Sequence, residues 1–570
     1  MPAPKGLPMV SWFAPAQLVR TGVQVAISAA LGTRIDPRRR QPGQDDVGID
    51  AVGEDKGELW FDYVADVGDG VVPTFHVAHG LSRPSLPVLG LAKPLPRGGL
   101  LIIGGDLVYP TASREAYQQR LLEPYRTAWA HTNPEGADGP APLVYAIPGN
   151  HDWYDGLVEF SRIFCAGGTA REAHRLAGWR SPQRRSYFVL KLPRRWWLWG
   201  LDIQLESDIN IDQLDYFAAQ AKLLSPGDQV ILCTAEPGWV KGDPQPTEQS
   251  NLQFLIAQKV EAQGAKVVLE LAGDLHHYRH HRLGGASPRH RIICGGGGAF
   301  THPTHNVLGG GEDADLVDPL GTWTLGRAFP DAEASAALAR WMWWRFPRRN
   351  LLFCVGLGLV YTSLAWGFPK GNVGMAMGQP LASVWTNLVS HPGAFFAATG
   401  TEAWLLTVGI PALGFMAAAP FDVRGLGVRW LGLVHGIVHV VAAIGLYLGL
   451  SELSMVVFGD TTNNALPGAL RFFSYLGCAS VVAGAIFGQY LRTAHQHFHA
   501  HANELYSALA SPHHTSFLRM HIRPDGALEV FPVGVHKVKR HPCDAQWELL
   551  NDTDEGGPIV LAAAEPPAPS

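Results

Sequence analysis

The sequence predicts an α/β sheet domain followed by a transmembrane region of about four helices, and three observations lead there. Between residues 58 and 300, short apolar runs alternate with polar or helical stretches, the layout of a layered sheet domain. Six of its seven strand-like runs end in Asp, Asn or Glu. After residue 350 the apolar residues concentrate in segments long enough to cross a hydrocarbon core, which takes about 20 such residues.

Composition limits the alternatives. A chain of 570 residues exceeds one ordinary domain, so three or four units are expected. Lys and Arg total 45 against 50 Asp and Glu, a formal charge of -5, so no general basic field exists to hold nucleic acid. The six cysteines lack a Cys-x-x-Cys pair and several sit in apolar runs, which suits reduced core thiols in a cytosolic or membrane setting.

Taken in order, residues 1–50 hold "MVSWFAPAQLVRTGVQVAISAALG", an apolar stretch interrupted by Arg20. It reads as an amphipathic surface helix and not as a secretory signal, and "RIDPRRRQPGQDDVG" after it reads as a solvated linker. Residues 51–310 form the sheet domain, with strands expected at "LWFDYVAD", "LLIIGGD", "LVYAIPGN", "WWLWGLD", "QVILCTAE", "KVVLELAGD" and "RIICGGGG". Residues at the carboxyl ends of neighbouring strands share one sheet edge, where open α/β folds bind ligands, so a single polar cluster is expected there. "RRWWLW" reads either as a core strand or as a contact with lipid headgroups.

Residues 311–345 read as a linker. Residues 346–492 carry four apolar segments, near 351–368, 401–419, 430–450 and 472–491, the second interrupted by Glu402 and Pro411. Arg345, Arg348, Arg349, Arg424, Arg429 and Arg492 flank one side, and mainly Lys370 and Arg471 the other. The positive-inside rule then places the sheet domain and the tail, 493–570, in the cytoplasm. In the tail, "HQHFHAHANELYSALAS" suits a helix and "FLRMHIRPDGALEVFPVGVHKV" a hairpin around "PDG". The run His495, His497, His499, His501 reads as a solvated juxtamembrane helix. His435 and His439, spaced i, i+4, share one face of the third span, where they pack, bind a metal or relay protons.

The strand ends carry the chemistry. Asp66 and Asp69 lie in "ADVGDG", Asp106 in "GGDLVYP", Asn150, His151 and Asp152 in "PGNHD", and Asp274, His276 and His277 in "AGDLHHY". Carboxylates, an amide oxygen and imidazoles together suit one or two divalent ions such as manganese, iron or zinc. Two such ions can clamp a phosphoryl oxygen and activate water for in-line attack, which makes phosphate-ester hydrolysis the natural reaction.

These four motifs resemble those of the calcineurin-like metallophosphoesterases. "ELWFDYVADVGDG", "PGNHDWYDGL", "SYFVLKLPRRWW" and "GGAFTHPTH" are closer still to the multi-span membrane branch found in plants and bacteria. The resemblance covers most of residues 1–310 and recurs in "LEVFPVGVHKV". It implies a two-sheet sandwich flanked by helices and a site for two divalent metal ions. By the same resemblance Asp66 and His276 bind the first metal, Asp106 bridges, Asn150 binds the second, and Tyr109 stands where the purple-acid-phosphatase branch has an iron-binding tyrosine. His151 is then the proton donor to the leaving oxygen, oriented by Asp152. Two departures stand out. Asp274 replaces the first imidazole of Gly-His-x-His, and Ala235 occupies a position where related chains place a histidine. Glu236, or His302 or His305, then completes the second metal's shell, or one metal is held firmly, or catalysis is lost.

The expected function is thus a membrane-anchored metallophosphoesterase acting on a phosphate ester, with membrane lipids or lipid-linked phosphates among the candidate substrates and oligomers compatible with the chain. Its rivals are a metal-binding scaffold without turnover and a regulatory domain on a small transporter using Glu402, His435 and His439.

Overall fold

A computed structural model of the chain describes residues 7–31, 50–134, 140–167, 175–203, 208–240, 250–285, 288–305, 315–367, 401–417, 426–458, 465–539, 545–550 and 557–563, with 386, 389–391, 393 and 541 besides. Two compact units result: Met1–Val10, Arg20–Leu338 and Ala510–Ser570 in the first, Ser11–Val19 and Ala339–Leu509 in the second.

The first unit contains two large sheets. The strands of these two sheets are β1 (Asp50–Ala51), β2 (Leu59–Val64), β3 (Leu100–Gly104), β4 (Leu143–Ile147), β5 (Phe188–Lys191), β6 (Trp196–Gly200), β7 (Gln229–Thr234), β8 (Lys266–Ala272), β9 (Tyr278–Leu283), β10 (Arg289–Cys294), β11 (Leu316–Asp318), β12 (Gly321–Phe329), β13 (Thr515–Ile522), β14 (Leu528–Val535), β15 (Glu548–Leu549) and β16 (Ile559–Leu561). One sheet runs β1-β5-β6-β7-β8-β10-β9-β12-β11, the other β15-β14-β13-β2-β3-β4 with β16 on β14. All seven expected runs form strands.

Side-chain alternation explains the layering. Phe61, Tyr63, Leu100 and Ile102 of one sheet meet Leu198, Ile231, Leu269 and Ile292 of the other in a shared core. The alternate residues Leu101, Ile103, Val144 and Ala146 pack against Phe75, Leu81 and Leu121 from helical segments. On the opposite side Trp197, Val230 and Leu232 pack against Tyr216 and Phe217 of the helix Ile211–Ala221. Sheets covered on both faces read as continuous apolar runs, which is why these strands were legible. Trp196, Trp197 and Trp199 are buried, so "RRWWLW" is a core strand and the lipid-contact alternative falls.

The chain's two ends share a sheet. The "PDG" hairpin, with Gly526 at φ 90°, joins β13 to β14, and β13 pairs antiparallel with β2, Leu518 opposite Tyr63. Arg519 then reaches Asp62 through two bonds of 2.7 and 3.1 Å, both side chains buried. Residues 311–345, expected as linker, carry β11 and β12, because "GTWTLGRAF" pairs along β9; residues 311–314, like the whole of the linker "RIDPRRRQPGQDDVG", lie outside the described residues.

The second unit is helical: α1 (Met342–Arg349), α2 (Leu351–Gly367), α3 (Thr401–Ala417), α4 (Leu426–Phe458), α5 (Ala465–Phe498) and α6 (Ala502–Leu509). Its core includes Tyr361, Leu364, Val440, Tyr447, Tyr475 and Ala483. A Cβ on Gly436 would stand 2.5 Å from Pro411, so glycine lets α3 and α4 approach closely. Two segments, Leu426–Leu450 and Ala469–Phe498, are long and apolar enough to cross a membrane. The other two expected spans lie in α2 and α3, whose 17 described residues each cover about 25 Å of a core of about 30 Å. The side chain of Glu402, together with Lys370 and Arg424, is outside the described residues. The expected juxtamembrane histidine helix breaks after Phe498, with His499 and His501 at φ 53° and 59°. The amphipathic helix expected near the N-terminus forms at Pro15–Leu31, with Leu18, Val19 and Val23 exposed.

Candidate metal centre

Asp66, Asp106 and Asp274 each follow a strand, β2, β3 and β8, and all three adopt left-handed backbone, at φ 58°, 49° and 66°. That conformation costs about 1–3 kcal/mol per residue and persists only where the surroundings enforce it. Here Asp66 N–H donates to Gly105 O at 3.0 Å and Val67 N–H to Asp106 O at 3.0 Å, lacing the two turns together. Asp274 N–H donates to Asp66 Oδ1 at 3.2 Å, bringing the nine-stranded sheet's edge to the same point. Glycines allow this crowding: a Cβ on Gly149 would stand 2.0 Å from Asp106 Oδ1, and one on Gly295 2.4 Å from Asp66 Oδ2.

Tyr109 stands at the centre. Its Oη lies 3.0 Å from Asp66 Oδ1, 3.2 Å from Asp106 Oδ2 and 3.0 Å from His276 Nε2. His276 Nδ1 is 2.8 Å from the Phe300 carbonyl, which only accepts, so Nδ1 carries the proton and Nε2 turns a lone pair inward. Two carboxylate oxygens and an imidazole nitrogen therefore crowd around one phenolic oxygen, whose proton can go to only one of them. Asp66 Oδ2 is also buried, with no hydrogen-bond partner among the described residues. Burial first, then the charges of Asp106 and Asp274, push the Asp66 carboxyl far above the usual carboxylate range. Burial also raises Asp106, against the opposing pull of His151.

This donor set fits a cation. Oxygen and nitrogen ligands about 2.0–2.2 Å from one ion stand roughly 3 Å apart, the spacing found around Tyr109 Oη. No group of three or more His, Cys, Asp and Glu side chains converges as a metal set among the described residues; Asp66, Asp106 and His276 each contact the Tyr109 hydroxyl.

The other expected residues take varied positions. Glu236 is buried and close enough to Asp106 to act on its charge. His302 stacks on His276 at 4.0 Å, its Nδ1 accepting from His276 N–H. His305 turns to Ser335 Oγ at 2.8 Å. Asn150 is exposed at the first turn of the short helix Asn150–Trp153. Ala235 is buried beside Gly105 and offers no donor.

His151 differs from the expectation in one respect. Its Nδ1 is 2.7 Å from the Pro110 carbonyl, so that carbonyl orients the ring. Asp152 does not orient the imidazole. It accepts from Leu107 N–H, Gly149 N–H at 2.9 Å and Tyr117 Oη at 2.6 Å, bracing the turns that carry Asp106 and His151. The His151 backbone N–H in turn donates to Asp106 Oδ1 at 3.0 Å. Pro110, Phe300 and Tyr117 were missed from sequence, since two act through main-chain carbonyls and the third through a contact 35 positions away.

No family model and no curated protein matches the chain. Among solved structures, it is similar to a purple acid phosphatase, PPD1, from yellow lupin (Lupinus luteus) seeds, at 13% identity over 43% of this chain and 45% of that one, with a TM-score of 0.27. It is similar also to PhoD, at 13% identity over 42% and 58%, with a TM-score of 0.25. The chain thus spans about half the length of the structures it matches.

Proposed function

We propose that the chain is a metal-dependent phosphoesterase anchored to a membrane with its site facing the cytoplasm. The observation that carries this reading is the convergence of Asp66, Asp106 and His276 on the Tyr109 hydroxyl. They would hold a divalent ion of manganese, iron or zinc type. When bound, it would supply Lewis-acid polarisation of a phosphoryl oxygen and lower the pKa of a water nucleophile.

The chain's own residues do the rest. The Pro110 carbonyl fixes the His151 proton on Nδ1, which leaves Nε2 to take up a proton and deliver it to the leaving oxygen. Asp152 and Tyr117 keep the loop from relaxing, so that the His151 ring and Asp106 hold their spacing. Asn150 and Glu236 are the donors available for a second ion, and Ala235 makes that ion the weaker of the two. Phospholipids and lipid-linked phosphates head the substrate screen, because an anchored site meets them first.

Elemental analysis of the purified protein, paired with hydrolysis of an aryl phosphate monoester and diester with and without manganese, tests the reading. Bound metal with metal-dependent turnover supports it. Metal without turnover under any condition leaves a metal-binding scaffold, the reading Ala235 favours, and neither metal nor turnover removes both.

A further inference from the structure

The helical unit carries a second polar constellation that phosphoester chemistry does not use. In α2, Tyr361 Oη lies 2.7 Å from His439 Nδ1 of α4, and His439 Nε2 lies 2.7 Å from His435 Nε2 one turn earlier. His439 and Tyr361 are buried, 6% and 2% exposed, among apolar side chains. Two nitrogens that share a tetrahedral ion at about 2.0–2.1 Å stand about 3.3 Å apart, so the observed spacing is that of an N–H···N hydrogen bond and not of a chelate. Aliphatic side chains would fill such a place without the desolvation cost that three polar groups incur.

The constellation continues toward solvent. The Tyr490 ring of α5 stacks on His435 at 4.0 Å, and its Oη lies 3.0 Å from His501 Nε2. His501 Nδ1 is 3.7 Å from the carboxylate of Glu504, whose side chain is half exposed. These are the titratable groups facing the pair from α2, α5 and the segment after it; the described side chains of α3 contribute none.

We propose that Tyr361, His439 and His435 form a proton relay, entered from the His501 and Glu504 side. In one arrangement His435 Nε2–H donates to His439 Nε2, and His439 Nδ1–H donates to Tyr361 Oη. A proton arriving at His435 Nδ1 shifts the Nε2 proton to His439 and the Nδ1 proton to the phenol, whose own proton passes to a water molecule as acceptor; reorientation of the three groups then restores the first arrangement. Each group ends neutral with its proton on the opposite side, so one proton crosses and no charge remains behind. Neither the stack between Tyr490 and His435 nor the 3.7 Å contact between His501 and Glu504 is a direct hydrogen bond, and at each a ring rotation or a water must carry the step.

The test is proton flux into liposomes holding the full chain, read with a trapped pH-sensitive dye under a potassium diffusion potential. Flux above protein-free vesicles is expected, lost in His439→Gln and His435→Gln, which keep polarity but cannot hand a proton through. Tyr361→Phe removes the last link and should lose flux as well, with aryl phosphate hydrolysis unchanged as evidence that the variants fold. Wild-type flux equal to protein-free vesicles, or undiminished flux in the glutamine variants, overturns the relay. So does stoichiometric zinc binding in calorimetry that both glutamine variants abolish, which would make the pair a metal site. Absence of phosphoesterase turnover bears on the first site alone; variant folding is then read from thermal unfolding.

Discussion

Asp62 and Asp66 stand four residues apart on and just beyond the same strand, both almost wholly buried, and they meet opposite electrostatic surroundings. Asp62 receives the Arg519 guanidinium through two hydrogen bonds. Its carboxyl is raised by burial, with Arg519 pulling it back. Asp66 has Asp106 and Asp274 beside it, and its one ion-pairing contact among the described residues is His276 at 3.7 Å, a ring that burial keeps neutral. The fold thus pairs one buried carboxylate with a guanidinium and sets another beside two further carboxylates. That contrast separates a carboxylate offset by an opposite charge from one disfavoured by like charges.

The largest effect expected is at Asp106. Asp106→Ala should remove bound metal and turnover together, read by elemental analysis and aryl phosphate hydrolysis; full activity would place the metal elsewhere. Next comes His151→Ala, which should retain metal and lose about 100 to 10,000-fold in rate, the range of general acid catalysis. A parallel loss of metal would show that His151 is a ligand instead.

Two stability measurements then sharpen the comparison itself. Arg519→Met leaves Asp62 buried and unpaired, so denaturant unfolding should show a loss of about 3–5 kcal/mol. Asp66→Asn, measured in chelator-treated protein, should have the opposite sign and stabilise, since it removes a repelled carboxylate. The pH dependence follows: a carboxyl whose folded pKa is raised is costless below the unfolded value of 3.8, and its cost grows as pH climbs toward the folded value. The gain from Asp66→Asn should therefore be absent in acid and increase with rising pH. A gain independent of pH would mean that packing, not charge, sets it.

Much of this arrangement was legible in the sequence. The seven apolar runs gave strands because buried parallel strands need apolar residues on both faces, and the polar residue closing six of them located the sheet edge. Sequence alone therefore determined the layered sheet, the strand-end cluster of Asp66, Asp106 and Asp274, the "PDG" hairpin and the apolar helical region. Tertiary structure decided which groups act on one another. That the Pro110 carbonyl and not Asp152 orients His151, that Phe300 sets the His276 tautomer, and that His305 turns to Ser335 follow from contacts across the fold. Main-chain carbonyls are present at every residue, so composition and spacing cannot mark the ones that matter. The pairing of Asp62 with Arg519, 457 positions apart, exists only because β13 enters the sheet beside β2, a register set by packing of the whole core.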